Sequence, residues 1–290
     1  MKCIFCGSNS KKIIANKVRD SSKNKVIQCK KCNQIQLNPI PSRVEDEIFY
    51  DNNLQEKNQN HSSSLQEHRK KSFNDTKRRV ELVSKLCKKN DRVLEIGSGY
   101  GFFLEEMRKL GFDIIGIEVS KERRKISKRV TKSKILNINL MDENLNIKKF
   151  DVIIFFHVLE HISDSISFLK NLKKILNKNG KVIIEVPNYN DFQIELNVAY
   201  KEWHFQRAHI HYFTPKTLKK ILQKSGFKNI RIVGVHRYGI GNMFNWKINK
   251  KPQLDSPDFE FRDGYQSIEK NYKQHLEKNL ISDTIIAIAS

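Results

Sequence analysis

Residues 91–104 read DRVLEIGSGYGFFL, and the reading of this stretch decides the fold. Val93-Leu94-Glu95-Ile96 is an apolar run leading straight into Gly97, Gly99 and Gly101, after which an amphipathic segment opens at Phe102. A buried strand, a glycine turn and a helix start are expected, in that order. Glycines permit positive φ and let a ligand approach the backbone, while the helix N-terminus behind them offers free N–H groups. The stretch therefore reads as a nucleotide-cofactor cradle. A glycine turn alone can do no more than pack a helix, so its neighbours matter. After the helix expected at 101–110, a second apolar strand near 113–118 ends in Glu118. A carboxylate at that place can accept both ribose hydroxyls of an adenosine.

Two features separate the cofactors such a cradle could take. Dinucleotide folds use G-x-G-x-x-G to admit a pyrophosphate. Here the loop runs Glu95-Ile-Gly97-Ser98-Gly99-Tyr-Gly101, and an acid before the first glycine repels pyrophosphate but suits the ammonium of a methionine moiety. The loop resembles the first motif of the class I S-adenosylmethionine (SAM) dependent methyltransferases. FDVIIFFHVLEH, residues 150–161, looks like the fourth strand and following turn of that family's small-molecule branch. The resemblance implies SAM as cofactor, held by Glu95, Gly97, Ser98, Gly99, Gly101, Glu118, Val119 and His157. It also implies an adenine contact at the end of the third strand, where Asn139 and Leu140 are the nearest equivalents.

Outward from the loop, strand and helix alternate from 91 to 188, which predicts an α/β domain with a parallel sheet covered on both faces. Strands are expected near 92–96, 113–118, 134–138, 150–156 and 181–186, with helices near 101–110, 120–130 and 164–177. Thr214-Pro215 begins a further helix, Thr as N-cap and Pro at the first helical position. A sixth strand at 228–235, a helix at 265–280 and an apolar strand at 284–289 follow. The last strand, inserted antiparallel beside the sixth, completes the Rossmann-like, seven-stranded, mostly parallel sheet that the resemblance implies.

At the other end of the chain, Cys3-x-x-Cys6 and Cys29-x-x-Cys32 are separated by 22 residues. Two such knuckles bring four thiolates into a tetrahedron suited to a structural Zn²⁺; incidental pairs or a redox C-x-x-C are the other readings. Residues 1–40 are too few to fold on a hydrophobic core, so a zinc ribbon with short strands near 11–15 and 25–29 is expected. Residues 41–88 read as linker and helices: a short helix at 44–50, a polar stretch at 51–64 open to reading as a lid or as disorder, and a long helix at 65–88. Residues 89–290 form the SAM-binding domain, with a substrate insertion at 189–213. Cys87 reads as a small hydrophobe on the long helix.

The net charge is +22, and 40 of the 54 basic residues are Lys, scattered among many Asn and Ile. Such a balance suits nucleic acid or an anionic surface as partner, but a biased composition explains much of it. No run of 18 apolar residues and no signal-peptide core is present, so a cytoplasmic protein without membrane insertion is expected.

Nine histidines are available for general-base work, and five of them, His157, His161, His204, His209 and His211, lie where the carboxyl ends of the strands are expected. Residues 208–214, AHIHYFT, are similar to the E-H-x-S-Y-F-S segment of zinc-containing sugar C-methyltransferases, as are the four cysteines and Gln34–Pro39. That likeness implies His209 as the base; His157, directly after the fourth strand, is expected by its position to touch the methionine end of SAM or the acceptor, and His211 is a further catalytic candidate. Ala208 stands where those enzymes have an acid and His211 where they have serine, so a hydroxyl acceptor is expected rather than carbon. The expected activity is methyl transfer to a hydroxyl of a small molecule, a sugar or sugar-linked intermediate of a bacterial surface polysaccharide. The alternative is an rRNA base methyltransferase that binds RNA through its basic ribbon; nine Lys or Arg against the single acid Asp20 in residues 1–40 favour it. Against it, no aromatic platform for a flipped base is evident.

Overall fold

The computed structural model describes residues 2–42, 45, 64–142, 145, 147–252 and 264–290. Most of the segments read as a helix at 44–50 and a polar stretch at 51–64 lie outside them. Three short strands open the chain: β1 (Lys11–Ala15), β2 (Lys25–Cys29) and β3 (Ile35–Asn38). The long helix α1 (Leu65–Leu86) starts at a capping box, in which Ser64 accepts from the Glu67 N–H and the Glu67 side chain accepts from the Ser64 N–H. Cys87 caps its C-terminal end, half-buried, rather than sitting within the helix.

The alternating half then follows as β4 (Arg92–Ile96), α2 (Phe102–Lys109), β5 (Asp113–Ile117), α3 (Lys121–Thr131), β6 (Ile135–Leu136) and β7 (Phe150–Phe156). After a 3₁₀ turn at Leu159–His161 come α4 (Ser165–Lys174) and β8 (Leu176–Pro187). The insertion holds α5 (Phe192–Leu196), α6 (Val198–His204) and the two-residue strand β9 (His211–Tyr212). The chain closes with α7 (Pro215–Lys224), β10 (Arg231–Val235), α8 (Ile240–Asn249), α9 (Gln266–Lys278) and β11 (Thr284–Ala289).

Seven strands form one sheet in the order β10-β11-β8-β7-β4-β5-β6. β4 to β8 are parallel, while β11 runs antiparallel to both β8 and β10, as the sequence predicts. The expected Rossmann-like sheet is therefore present. Its central strands are apolar throughout because both faces are covered: Leu94, Ile153, Phe155 and Ile184 pack under α4 and α7, and Val93, Val152, Ile154 and Ile183 pack with α1 and α2. Strand order reverses between β4 and β7, and at such a switch the carboxyl ends of the strands leave a crevice for a ligand.

A second sheet has the order β1-β2-β3-β9; sequence reading found β1 and β2 and missed β3 and β9. Its fourth strand belongs to the insertion: Ile35 pairs with Tyr212 and Gln36 with His211. The amino-terminal ribbon is thus built into the other half of the molecule, with Phe5, Cys3 and Cys29 sharing one core with Phe213 and Leu218.

Candidate active site

Gly97, Gly99 and Gly101 all have positive φ, so the turn between β4 and α2 needs glycine. Two of its members differ in purpose. A Cβ on Gly101 would meet Ser127 Oγ at 2.5 Å and Thr131 Cγ2 at 2.6 Å, so this glycine lets α3 pack against the start of α2. A Cβ on Gly99 would meet nothing within 4 Å, and its backbone is the part of the loop open to a ligand. Glu118, 5% exposed, accepts from Gly99 N–H at 2.8 Å through Oε2 and from Ser120 N–H at 2.9 Å through Oε1. It therefore spans the glycine loop and the start of α3.

Glu95 is 4% exposed, and its Oε2 has no hydrogen-bond partner. Burial pushes its carboxyl up to about 8, helped by the Glu118 charge and opposed by Arg79. An isolated buried carboxylate beside an open backbone turn is chemically matched to a cation, which the ammonium of a methionine moiety supplies. Ser98 Oγ, also buried and unpartnered, lies at the same turn. The residues present therefore fit SAM. Val119 is exposed beyond Glu118, and the Asn139 side chain accepts from Met141 N–H while the Asn171 amide donates to the Leu140 carbonyl, fixing the turn after β6.

At the carboxyl end of β7 the chain turns sharply at His157, whose φ is 53°. Its Nδ1 lies 3.3 Å from Glu160 Oε1 and its Nε2 3.2 Å from Glu185 Oε1. Burial opposes a charge on this ring, but the two carboxylates outweigh it and hold the His157 pKa above the usual value. Glu185, wholly buried near the end of β8, also receives Arg78 Nη1 at 2.9 Å and Arg79 Nε at 3.0 Å from α1. Despite the burial, the Arg79 charge and the hydrogen bond from His157 keep its carboxyl well below the usual range. Sequence reading missed Glu185; the signal was a lone acid inside the run Val182–Pro187, because a charge in a two-sided strand requires partners.

The insertion brings His209 to the 3₁₀ turn. Backbone bonds hold it on both sides: His161 Nδ1 lies 2.7 Å from the Ala208 carbonyl, and Ile210 N–H donates to the Glu160 carbonyl at 2.8 Å. The His161 and His209 rings are 5.1 Å apart, and Glu160, His161 and His209 place donor atoms within 4.8 Å of one another. Burial lowers the His209 pKa well below 6.5, with the neighbouring His161 and His204 adding to the effect, so the ring is a neutral and weak base. His204 stands beside it, ring centroids 6.4 Å apart, and burial lowers its pKa to about 4.

His211, also expected among the catalytic residues, has partners other than those of this group. It is 1% exposed in β9, and its Nε2 lies 3.0 Å from the Ile162 carbonyl and 3.3 Å from Ser165 Oγ. Alternation along an extended segment turns His211 to a different set of neighbours from those of the residues that flank it. Its task is to hold the turn below.

The four cysteines gather as their spacing predicts. Cys3 Sγ lies 3.5 Å from Cys32 Sγ, Cys6 Sγ lies 3.5 Å from Cys29 Sγ, and all four sulfurs fall within 4.8 Å of one another. Thiolates about 2.3 Å from a tetrahedral Zn²⁺ require nearly that spacing. The cluster fits the metal.

Similarity to known proteins agrees with this geometry. Over 104 residues the chain is 36% identical to a ubiquinone biosynthesis O-methyltransferase of Pelagibacter ubique (strain HTCC1062), covering 34% of this chain and 43% of that protein. It is 24% identical over 168 residues to the protein of that name from Coxiella burnetii (strain RSA 331 / Henzerling II), covering 54% and 72%. The magnesium protoporphyrin IX methyltransferase of Synechocystis PCC 6803, solved with bound SAH, shares the fold with a TM-score of 0.56 at 11% identity, over 86% of this chain and 99% of that one. Residues 65–232 match the family model described as a methyltransferase domain, and with more than half of its length so matched the chain belongs to the methyltransferase-domain family of SAM-dependent enzymes.

Proposed function

We propose that this protein transfers the methyl group of SAM to a hydroxyl oxygen of a small molecule, and that the hydroxyl belongs to a sugar or sugar-linked intermediate of a bacterial surface polysaccharide. The observation that carries the donor half is buried Glu95, with an unpartnered oxygen at the foot of a glycine turn that Glu118 spans from the other side. The names of the Pelagibacter and Coxiella relatives support oxygen as the atom methylated. Sugar as the acceptor class is supported by the likeness of the four-cysteine ribbon and residues 208–214 to sugar methyltransferases. Zn²⁺ in that ribbon, held by Cys3, Cys6, Cys29 and Cys32, belongs to the same proposal.

When bound, SAM supplies an electrophilic methyl carbon on a sulfonium. Glu95 would hold its ammonium, Gly99 would offer backbone to it, and Glu118 would accept from its ribose hydroxyls, exchanging its present N–H partners. Alignment of donor and acceptor is the main contribution of the protein to such a displacement, worth roughly 7–11 kcal/mol when geometry is ideal. His157, fixed between Glu160 and Glu185, shapes the acceptor side. Deprotonation of the acceptor falls to the group formed by Glu160, His161 and His209.

The test is SAM binding by calorimetry followed by transfer of labelled methyl to three panels: nucleotide-linked sugars, ubiquinone precursors and rRNA. One-to-one SAM binding with label in the sugar panel is expected. Label confined to ubiquinone precursors would replace the sugar assignment, label in rRNA would replace the small-molecule assignment, and absence of SAM binding would remove the whole proposal.

A further inference from the structure

Besides the β3–β9 pairing, a chain of side-chain hydrogen bonds runs from the ribbon into the insertion, and it ends on His209. We propose that Arg19 and Gln206 are positioning residues that fix His209 as a hydrogen-bond donor through Nδ1, and that this N–H receives an oxygen of the acceptor next to the hydroxyl that is methylated. The tautomer stands on the geometry alone; the acceptor contact rests on the proposed function.

The tautomer follows from what each group is able to do. Arg19 bears only donors, and its Nη2 lies 2.6 Å from Gln206 Oε1. That bond sets the amide and turns its Nε2 to the ring of His209, 2.7 Å from the ring Nε2. An amide nitrogen only donates, so the ring nitrogen facing it presents its lone pair, and the hydrogen of the neutral imidazole stays on Nδ1. Both ends of the chain are fixed. Arg19 Nη1 donates to the Trp203 carbonyl at 2.9 Å, and the guanidinium lies 4.2 Å from the centre of the Trp203 ring. Gln206 N–H donates to Tyr212 Oη at 3.1 Å, and His209 N–H donates to the Gln206 carbonyl at 3.1 Å. The ring is also kept neutral: burial comes first, and His161, His204, His157 and Arg19 all add to it in disfavouring a charge there.

A base needs a free lone pair, and the amide of Gln206 occupies the one this ring has. Deprotonation of the acceptor then falls to the rest of the group at the 3₁₀ turn. What His209 has unspent is Nδ1–H, which is buried without a partner, and a buried donor left unpaired is costly. The acceptor is the molecule that can relieve it. Glu160 and His161 each place an atom within 4.8 Å of a His209 nitrogen, and Glu160 holds His157 at the carboxyl end of β7. The oxygen to be methylated must give an electron pair to the methyl carbon, and an N–H bonded to it would draw that pair away. The oxygen beside it has no such duty. The acceptor class is therefore one with two neighbouring oxygens, as the vicinal hydroxyls of a sugar provide, and Nδ1–H selects which of the two is left unmethylated.

NMR on the full chain, isotope-labelled at the histidine nitrogens, tests the tautomer, because the shift of each ring nitrogen reports whether it bears hydrogen. His209→Asn identifies the signals by their loss. Hydrogen on Nδ1 and none on Nε2 is expected throughout about pH 6 to pH 8. Gln206→Glu retains an oxygen for Arg19 but presents an acceptor to the ring, so hydrogen should move to Nε2 and the ring should titrate at higher pH. An unchanged heat of SAM binding shows that the variant folds. Hydrogen on Nε2 in the wild-type chain, or a tautomer unmoved in Gln206→Glu, would refute the positioning role. Labelled-methyl transfer to a nucleotide-linked hexose, and to the deoxyhexose lacking the hydroxyl beside the one methylated, tests the acceptor contact. Wild type should prefer the hexose about tenfold in kcat/KM, and Gln206→Glu should lose that preference mainly through KM. Equal use of both sugars by wild type would refute the contact. The expected tautomer in a chain that methylates no acceptor would strike the proposed function, and the contact with it, and leave the positioning of His209 standing.

Discussion

Glu95 shows how one side chain links donor binding to pH. Burial raises its carboxyl to about 8 in the free protein, Arg79 opposes that rise, and Glu118 adds to it. An ammonium is attracted only by the ionised form, so binding SAM must release this proton. Below about pH 8 the dissociation constant is therefore expected to fall about tenfold per pH unit as pH rises, levelling off above it. Stability of the free protein runs the other way. The folded-state pKa lies above the unfolded value, so the contribution is fully present below about pH 4.5 and is lost as pH rises through about 8. Calorimetry between about pH 6 and pH 8.5 tests the first part, and Glu95→Gln should flatten the slope; a slope unaltered in that variant would show that another group takes up the proton. Glu118 is a different kind of acid, already satisfied by two backbone N–H groups. Glu118→Ala should weaken SAM binding by about 1.5–3 kcal/mol, the usual worth of hydrogen bonds to a charged group, and calorimetry on a variant with an unchanged thermal midpoint would isolate it. Both acids were legible in the sequence because their meaning is local, one residue pattern before and one after a single βαβ unit. Glu160 and Glu185 were not, because their partners come from α1 and from the insertion.

At the level of elements, what could be read was whatever repeats or is capped. The alternation from β4 to β8, the antiparallel last strand and the Thr214-Pro215 start of α7 all have a period or a cap to give them away. β9 has two residues and no period of its own, and it exists because β3 offers an edge. β6 is shorter than its apolar run suggested, and β8 begins at Leu176, within the span expected for the preceding helix. Helix α1 looked from its sequence like a covering helix with an apolar stripe. Its second task is electrostatic, since Arg78 and Arg79 both reach buried Glu185, and Arg78 also meets Asp75 Oδ1 at 2.9 Å. Such a network tolerates loss of a member poorly, because the remaining charges stay buried. Glu185→Ala is expected to lower unfolding free energy by about 3–5 kcal/mol in urea titration, with an unchanged denaturant slope. A loss under about 1 kcal/mol would mean that the arginines reach solvent freely and that α1 docks by its apolar stripe alone.

On the scale of the whole molecule, the amino-terminal ribbon and the acceptor side are one mechanical unit. β3 pairs with β9, Leu37 N–H donates to the Ile210 carbonyl at 2.9 Å, and Arg19 N–H donates to the Phe205 carbonyl at 3.0 Å. Arg19 also lies over the Trp203 ring at 4.2 Å and bonds Gln206 Oε1 at 2.6 Å, while Arg207 N–H donates to Asp20 Oδ1 at 2.7 Å. The basic ribbon thus spends Arg19 on its own insertion, which accounts for part of a charge that the sequence alone left open to a nucleic-acid partner. Residues 205–213 have no regular structure apart from β9, and the ribbon is the template that gives them one. The glycine loop and Glu118 lie on β4, β5 and the turns that follow them, and Glu118 is held by Gly99 N–H and Ser120 N–H of those turns. A ribbon this small has little core of its own, so its order depends on the metal proposed for its thiols. Stripping that metal with a strong chelator should therefore raise amide exchange in β1 to β3 and in residues 203–213 together, while exchange in β4, β5 and β7 stays low. SAM should still bind within about threefold of its original affinity, since the donor half is braced by the sheet, and methyl transfer should be lost because His209 is no longer fastened to the turn that holds Glu160. Exchange confined to the ribbon, with residues 203–213 still protected and turnover intact, would show that the insertion keeps its shape without its template.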